Sequence, residues 1–256
     1  MIYIVMHKIV KSMDNELYKP LLVGSYNKES SNILRDDQGE NISNLNENFC
    51  ELTGLYWIWK NCNEDIVGLC HYRRYLSKKF FSNNPRYYLN SKDIENDFKN
   101  GINVILPKKE FCKKKIEDNF KTSSAPNEED MRITKNVIEK LFPEYLPAYE
   151  KYINSHSSYL CNVIVCKREI LDEYCEWLFK ILFEVQKVMP LENYISDPYR
   201  KRMFGFISER LLNVWIIHNI DRIHVKEYYL IKTDDSKMKK IQYVFKQIIK
   251  RIFYKN

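Results

Sequence analysis

Three groups of residues in this chain have types and spacings suited to chemistry. His71-Tyr72-Arg73-Arg74 comes straight after the run Asp65-Ile-Val-Gly-Leu-Cys70. Guanidinium groups bind phosphate oxygens directly and bidentately, so two arginines and a histidine at a strand end suit a diphosphate. The plainer alternative puts one arginine in a structural salt bridge and His71 in the core as a satisfied residue. Glu209 lies in Ile207-Ser-Glu-Arg210, just after Gly205 and at the expected start of a helix. A carboxylate there can point into a cleft and act as a base if it reaches a hydroxyl. Equally, Ser208 and Glu209 cap the helix while Arg210 forms an ion pair. The third group is Asp36-Asp-Gln-Gly-Glu-Asn41, which is strong turn chemistry and is either a surface turn or a ligand loop. Of the four tryptophans, Trp177 and Trp215 sit on helical apolar stripes and read as core. Trp57 lies off its stripe and is the one best placed to stack on a flat ligand face.

The elements around these groups follow from the hydrophobic pattern. Met1–Met6 reads as a buried strand, and Pro20–Ser25 as a second short run that stops at Gly24. Residues 27–48 are polar. Leu45, Phe49, Leu52, Leu55, Tyr56 and Trp59 then recur at three- and four-residue steps, predicting one helix over about 44–61 with Ser43 as its cap. Residues 65–70 are a strand, 91–99 a short helix, and 101–107 a strand closed by Pro107. Residues 108–135 are charged and show no apolar periodicity, which predicts a mobile lid or acceptor loop. Residues 160–166 form another apolar run. Glu169–Val188 and Phe206–Ile217, the latter opened by Ser208, are amphipathic helices, and Ile223–Ile231 is a last strand. No internal repeat occurs. Strands alternating with helices predict an α/β fold with a mostly parallel sheet flanked by helices.

Composition narrows the classes. The chain has 256 residues, 45% of them hydrophobic and 29% charged, with 19 Tyr, which is ordinary for a globular protein with a sizeable core. Net charge is +7, and residues 237–256 hold seven Lys or Arg and no acid. The rest is close to neutral, which argues for a local basic patch and against a broad nucleic-acid-binding face. Seven cysteines without a CxxC pair predict reduced, mostly buried thiols in a cytosolic compartment. The N-terminus is too short and polar for a secretory signal, and no segment approaches about 18 apolar residues. No P-loop, GxSxG, zinc-ligand spacing or GxGxxG occurs, so kinase, hydrolase, zinc-enzyme and dehydrogenase readings lack support.

Several words of the sequence together carry a resemblance. Asn41-Ile-Ser43, Cys50-Glu-Leu-Thr-Gly-Leu-Tyr-Trp-Ile-Trp-Lys-Asn61, Gly68-Leu-Cys-His-Tyr-Arg-Arg-Tyr75, Val104–Pro107, Leu171–Phe179 and Ser208-Glu-Arg-Leu-Leu-Asn-Val-Trp215 are similar to a bacterial family first defined as a domain of unknown function. That family occurs in capsular and exopolysaccharide synthesis clusters, and the match spans about residues 1–230. The resemblance implies a GT-A-like (Rossmann-like) glycosyltransferase over residues 1–235. Such an enzyme would use a nucleotide-sugar donor, UDP-linked, and a lipid-linked or growing surface-polysaccharide acceptor; some members have been linked to galactose or galactofuranose transfer. In such a fold the nucleotide lies over the carboxyl ends of the first strands. That implies donor contacts from Ser25, Asp36, Asp37, Asn41, Ser43 and Asn46, with Tyr72, Trp57 and Glu51 toward sugar or acceptor. The Asp-x-Asp of a typical GT-A enzyme is replaced by His71–Arg74 at what looks like the equivalent place. Arg73 or Arg74 would then take the metal's role and His71 would donate a hydrogen bond to the diphosphate, with Glu209 as base. No cofactor is required, and a divalent metal is allowed but not expected.

Residues 236–256 lie beyond the resemblance. Met238, Ile241, Phe245, Ile248, Ile249 and Ile252 share one face of a helix opposite Lys239, Lys240, Lys246 and Lys250. That pattern suits an anionic membrane surface, which predicts a cytoplasmic protein peripheral to the inner face of the membrane. Packing on the domain, or a homo-oligomer contact, is the alternative. A non-catalytic nucleotide- or glycan-binding module is the second functional reading, with no nucleic-acid partner in either.

Overall fold

The computed structural model describes residues 1–29, 32–190, 194 and 196–254. Strand β1 (Ile2–Met6) is buried along its whole length. Tyr3 and Val5 point to one face of the sheet, while Ile2, Ile4 and Met6 point to the other, as the two-residue period of a strand requires. Both faces are covered, so the strand is apolar throughout instead of alternating. It pairs in parallel with β2 (Tyr18–Leu22) and with β4 (Ile66–His71). β2 pairs in parallel with β3 (Leu34–Arg35), so the polar segment 27–48 contains a short edge strand.

The rest of the sheet departs from the expected parallel pattern. The chain turns tightly after β4 into β5 (Arg74–Ser77), antiparallel to it with His71 opposite Arg74. β10 (Val225–Lys232) runs antiparallel to β5 and parallel to β6 (Val104–Pro107). β9 (Ile164–Lys167) is antiparallel to both β4 and β6. Of these eight pairings four are parallel and four antiparallel. The sheet is therefore mixed, not mostly parallel. The reason is that β5 returns through a two-residue turn, with no crossover helix.

The expected single helix over 44–61 is broken. α1 (Asn46–Phe49) ends at Cys50, whose φ of 53° no L-residue favours, and α2 (Leu52–Asn61) starts afresh. Ser43 caps neither; its hydroxyl donates to Asp36 Oδ1 at 2.6 Å. α2 sits close on the sheet because residue 54 is glycine: a Cβ there would lie 2.8 Å from Val5 Cγ1 and from Val23 Cγ1.

The charged stretch 108–135 is not a lid. It holds β7 (Glu110–Phe111), paired with β8 (Ser157–Ser158), then α4 (Ile116–Phe120) and the start of α5 (Glu128–Leu141). Asn127 and Asp130 form a reciprocal capping box, and Tyr194 Oη donates to Asp130 Oδ1 at 2.6 Å. The acidic first turn favours the helix dipole and hides the apolar spacing that begins at Met131.

α5, α6 (Leu146–Ile153), α7 (Arg168–Val188) and α8 (Met203–His218) pack with α2 on one face. α3 (Ser91–Lys99) contributes Ile94 to the other. α8 is apolar nearly all round and central; Trp215 is 1% exposed. The apolar run at 160–166 becomes strand only from Ile164, because Cys161 and Asn162 take left-handed conformations. α9 (Lys237–Tyr254) is the last element, and Lys255 and Asn256 lie outside the described residues. No helix among the described residues is long and apolar enough to cross a membrane.

Candidate active-site cleft

A cavity of about 610 Å³ opens at the carboxyl ends of β1, β2 and β4. Parallel strands leave such a crevice where their order reverses. His7 follows β1, Val23 follows β2, and His71 ends β4; α8 closes the far wall with Gly205, Phe206 and Glu209.

The His71–Arg74 turn divides its roles by direction. Arg73 points outward to Asp234, with Nη1–Oδ2 at 3.0 Å and both side chains 55% exposed. Its guanidinium lies 5.0 Å from the Tyr72 ring. Arg74 lines the cleft and forms no carboxylate ion pair among the described residues. Opposite it, Arg202 enters from the segment before α8 and reaches Cys50. Burial, then Lys8, Lys28, Arg73 and Arg202, lower the pKa of His7, so this end of the cleft has a positive potential that favours an anion.

His71 and Glu209 are joined through the backbone of Cys161. His71 Nε2 lies 2.8 Å from the Cys161 carbonyl oxygen. A carbonyl only accepts, so Nε2 carries the proton and Nδ1 is the acceptor of the neutral ring. Burial lowers its pKa, against an opposing pull from Glu51. His71 therefore has no N–H left to give a diphosphate while neutral, which corrects the donor role expected from the sequence. The Cys161 N–H donates to Glu209 Oε1 at 3.0 Å.

Glu209 is not at a helix start. α8 begins six residues earlier, at Met203, and Ser208 donates to the Gly205 carbonyl at 2.8 Å instead of capping. The second oxygen of Glu209 accepts from Arg210 Nη1 at 2.6 Å. Its pKa is raised, chiefly by burial and further by Glu51, with Arg210 opposing. Glu51 lines the same cleft. Its Oε1 accepts from Asn162 Nδ2 at 2.8 Å, while no hydrogen bond engages Oε2 among the described residues.

Five residues expected at the nucleotide do not line the cleft. Asp36 is fully buried and accepts from Gly24 N (2.9 Å), Ser25 N (3.0 Å), Ser25 Oγ (2.7 Å), Ser43 Oγ (2.6 Å) and Thr53 Oγ1 (2.6 Å). No face of that carboxylate is open to a base or ribose, so Asp36, Ser25 and Ser43 form a structural hub. Asp37 pairs with Arg35 at 2.7 Å, and that hydrogen bond holds its carboxyl below the usual range. Asn41 closes its own turn, donating to Gly39 O and accepting from Ser43 N. Trp57 is buried, its ring edge on Tyr3 and its Nε1 on Gln38 O at 2.8 Å, so it has no face for a sugar. Asn46, Glu51, Tyr72, Arg73 and Arg74 do line the cleft with His71 and Glu209. Sequence reasoning passed over His7, Cys161, Asn162, Tyr199 and Arg202. The basic run Arg200-Lys-Arg202 just before α8 was the available signal for the last of these.

Among the described residues no group of three or more His, Cys, Asp or Glu could hold a metal ion. The cleft's polar walls, with Arg74 and Arg202 beside Glu51 and Glu209, define an α/β protein with a charged cavity at the ends of its parallel strands. Residues 1–220 match the family described as Domain of unknown function (DUF4422), and the chain belongs to that family. A solved structure, the apo form of the WbbM bifunctional glycosyltransferase, is similar at 30% identity and a TM-score of 0.78. It covers 91% of this chain, which spans 45% of that one. No curated protein matches.

Proposed function

We propose that the chain is a GT-A-like glycosyltransferase unit. It moves a sugar, a hexose in pyranose or furanose form, from a nucleoside-diphosphate donor of the UDP type to a glycan or lipid-linked acceptor. The observation that carries this is the cleft itself, at the carboxyl ends of the parallel strands, where Arg74, Arg202 and His7 line one cavity together with Glu51 and Glu209. Likeness to a protein described as a bifunctional glycosyltransferase supports it. The donor's diphosphate lies against Arg74 and Arg202, which stabilise the charge that develops as the sugar–phosphate bond breaks. Guanidinium groups do this by direct hydrogen bonds, so transfer is metal-independent. Of the two carboxylates, Glu51 has an unengaged oxygen and acts as base toward the acceptor hydroxyl. Glu209, with both oxygens committed, positions Cys161 and through it His71.

Product formation from UDP-sugars measured for Glu51→Gln and Glu209→Gln tests the assignment. Glu51→Gln is expected to lose at least about 100-fold in kcat while keeping donor binding, whereas Glu209→Gln loses less and changes the pH profile. Near-normal turnover in Glu51→Gln would overturn the base assignment. Binding of donor with no turnover on any acceptor would move the reading to a non-catalytic nucleotide-binding module.

A further inference from the structure

α9 is mounted inside out. Tyr243, Val244 and Gln247 face the body of the protein, where Tyr243 stacks on Phe80 at 5.6 Å and Gln247 Oε1 accepts from Phe111 N at 2.7 Å. The more apolar stripe faces outward: Phe245 is 66% and Ile252 71% exposed. A soluble helix normally buries that stripe. Here a mixed aromatic and polar seam attaches the helix and its more apolar side is left free, flanked by Lys246 and Lys250.

Beneath α9 lies a cavity of about 290 Å³ walled by Phe80, Tyr229 and Tyr243 on the aromatic side. Lys108, Lys232 and Arg251 line it too, none of the three ion-paired with a carboxylate among the described residues, and with Lys109 and Lys240 they outnumber the two lining carboxylates, Asp235 and the Tyr243-bound Glu110. Lys108 Nζ rests over the Tyr229 ring at 3.9 Å, and Arg251 approaches the Phe111 ring at 6.0 Å. Unpaired cations beside aromatic walls fit one ligand chemistry, an anionic head on an apolar chain. The cavity adjoins the active-site cleft. Leu160 lines it while Cys161 lines the cleft, and Lys232 sits opposite Arg74 across the β10–β5 pair.

We infer that this cavity is a binding site for the phosphate and first carbons of a membrane lipid phosphate, entered from a bilayer on which the outward face of α9 rests. The outward apolar stripe supplies the contact with the acyl region, and the flanking lysines complement anionic headgroups. Binding itself stands apart from the transferase reading. Only the identification of this lipid as the carrier of the acceptor, held beside the cleft, rests on it.

The test is isothermal titration of the full chain with dodecyl phosphate below its micelle concentration, beside dodecyl maltoside and inorganic phosphate. Saturable binding is expected for dodecyl phosphate, at least tenfold tighter than either control and at least tenfold weakened in Lys108→Gln/Arg251→Gln. Equal affinity for the maltoside would mean a merely apolar groove. Equal affinity for inorganic phosphate would mean a plain anion site, and an unaffected double variant would put the ligand elsewhere; each overturns the inference. So does a stable dimer in lipid-free solution that Phe245→Glu dissociates, because a second copy would then be the occupant. Stabilisation by UDP, followed in the same samples, reports separately on the donor cleft.

Discussion

Arg73 and Arg74 are adjacent in the chain and both touch the cleft, but they differ in exposure and partner at the β4–β5 turn. Arg73 is tied to Asp234 at the surface, where an ion pair contributes little, while Arg74 looks into the cleft. Arg74→Gln is therefore expected to lower kcat by about 100-fold or more, the range for removing one donor to developing charge. Arg73→Gln should stay within a few-fold; parity between the two variants in a product assay would refute the division. His71 leads to a pH effect. Its folded-state pKa lies below the ordinary 6.5 because burial disfavours the charged ring. The unfolded chain thus takes up the proton more readily. The stability this group contributes is complete above the unfolded value and is lost as pH falls from about 6.5 toward the folded pKa. Thermal melts of wild type and His71→Gln between pH 7.5 and 5 should converge as pH drops. A constant gap would mean that His71 does not titrate in that window.

Among the elements, the loop joining β2 to α2 carries the most structural weight near the cleft. Asp36 gathers donors from the turn after β2, from Ser43 and from Thr53 on α2. Gly24, at φ 58°, keeps Asn46 in place, since a Cβ there would stand 2.4 Å from Asn46 Oδ1. Asp36→Asn replaces acceptor lone pairs with N–H groups facing N–H and O–H donors. Loss of a charge-assisted, buried set of this kind costs about 2–3 kcal/mol, or a fall of about 4–12 °C in Tm for a chain this size. A shift under about 1 °C by differential scanning would show that the hub is not stabilising. Position is what separates this carboxylate from Glu51: they lie 15 residues apart in the chain, but only Glu51 reaches the cavity.

For the whole molecule, the body and α9 divide the work. The family match ends at residue 220 and the cleft is built before residue 210. Removing residues 237–256 should accordingly leave stabilisation by donor nucleotide within about 1 °C of the full chain, while vesicle co-sedimentation is lost. A truncated chain that no longer responds to nucleotide would tie α9 to the integrity of the cleft.

The sequence by itself determined the alternation of strands and helices, the buried β1, the long α7, the amphipathic α9 and several of the polar residues that line the cleft, among them His71–Arg74, Glu51 and Glu209. These are legible because short-range periodicity and side-chain chemistry act within one element. Only the tertiary structure decided that the sheet is mixed, that Cys50 splits a helix, and that residues 108–135 fold onto the body. It also decided which of two adjacent arginines is held in an ion pair, and that Asp36 and Trp57 are spent on structure. The physical reason is common to all of them. A carboxylate, guanidinium or indole is available to a ligand only when no nearer partner satisfies it. Those partners, such as Thr53 for Asp36 or Cys161 for His71, lie 17 and 90 residues away in the chain.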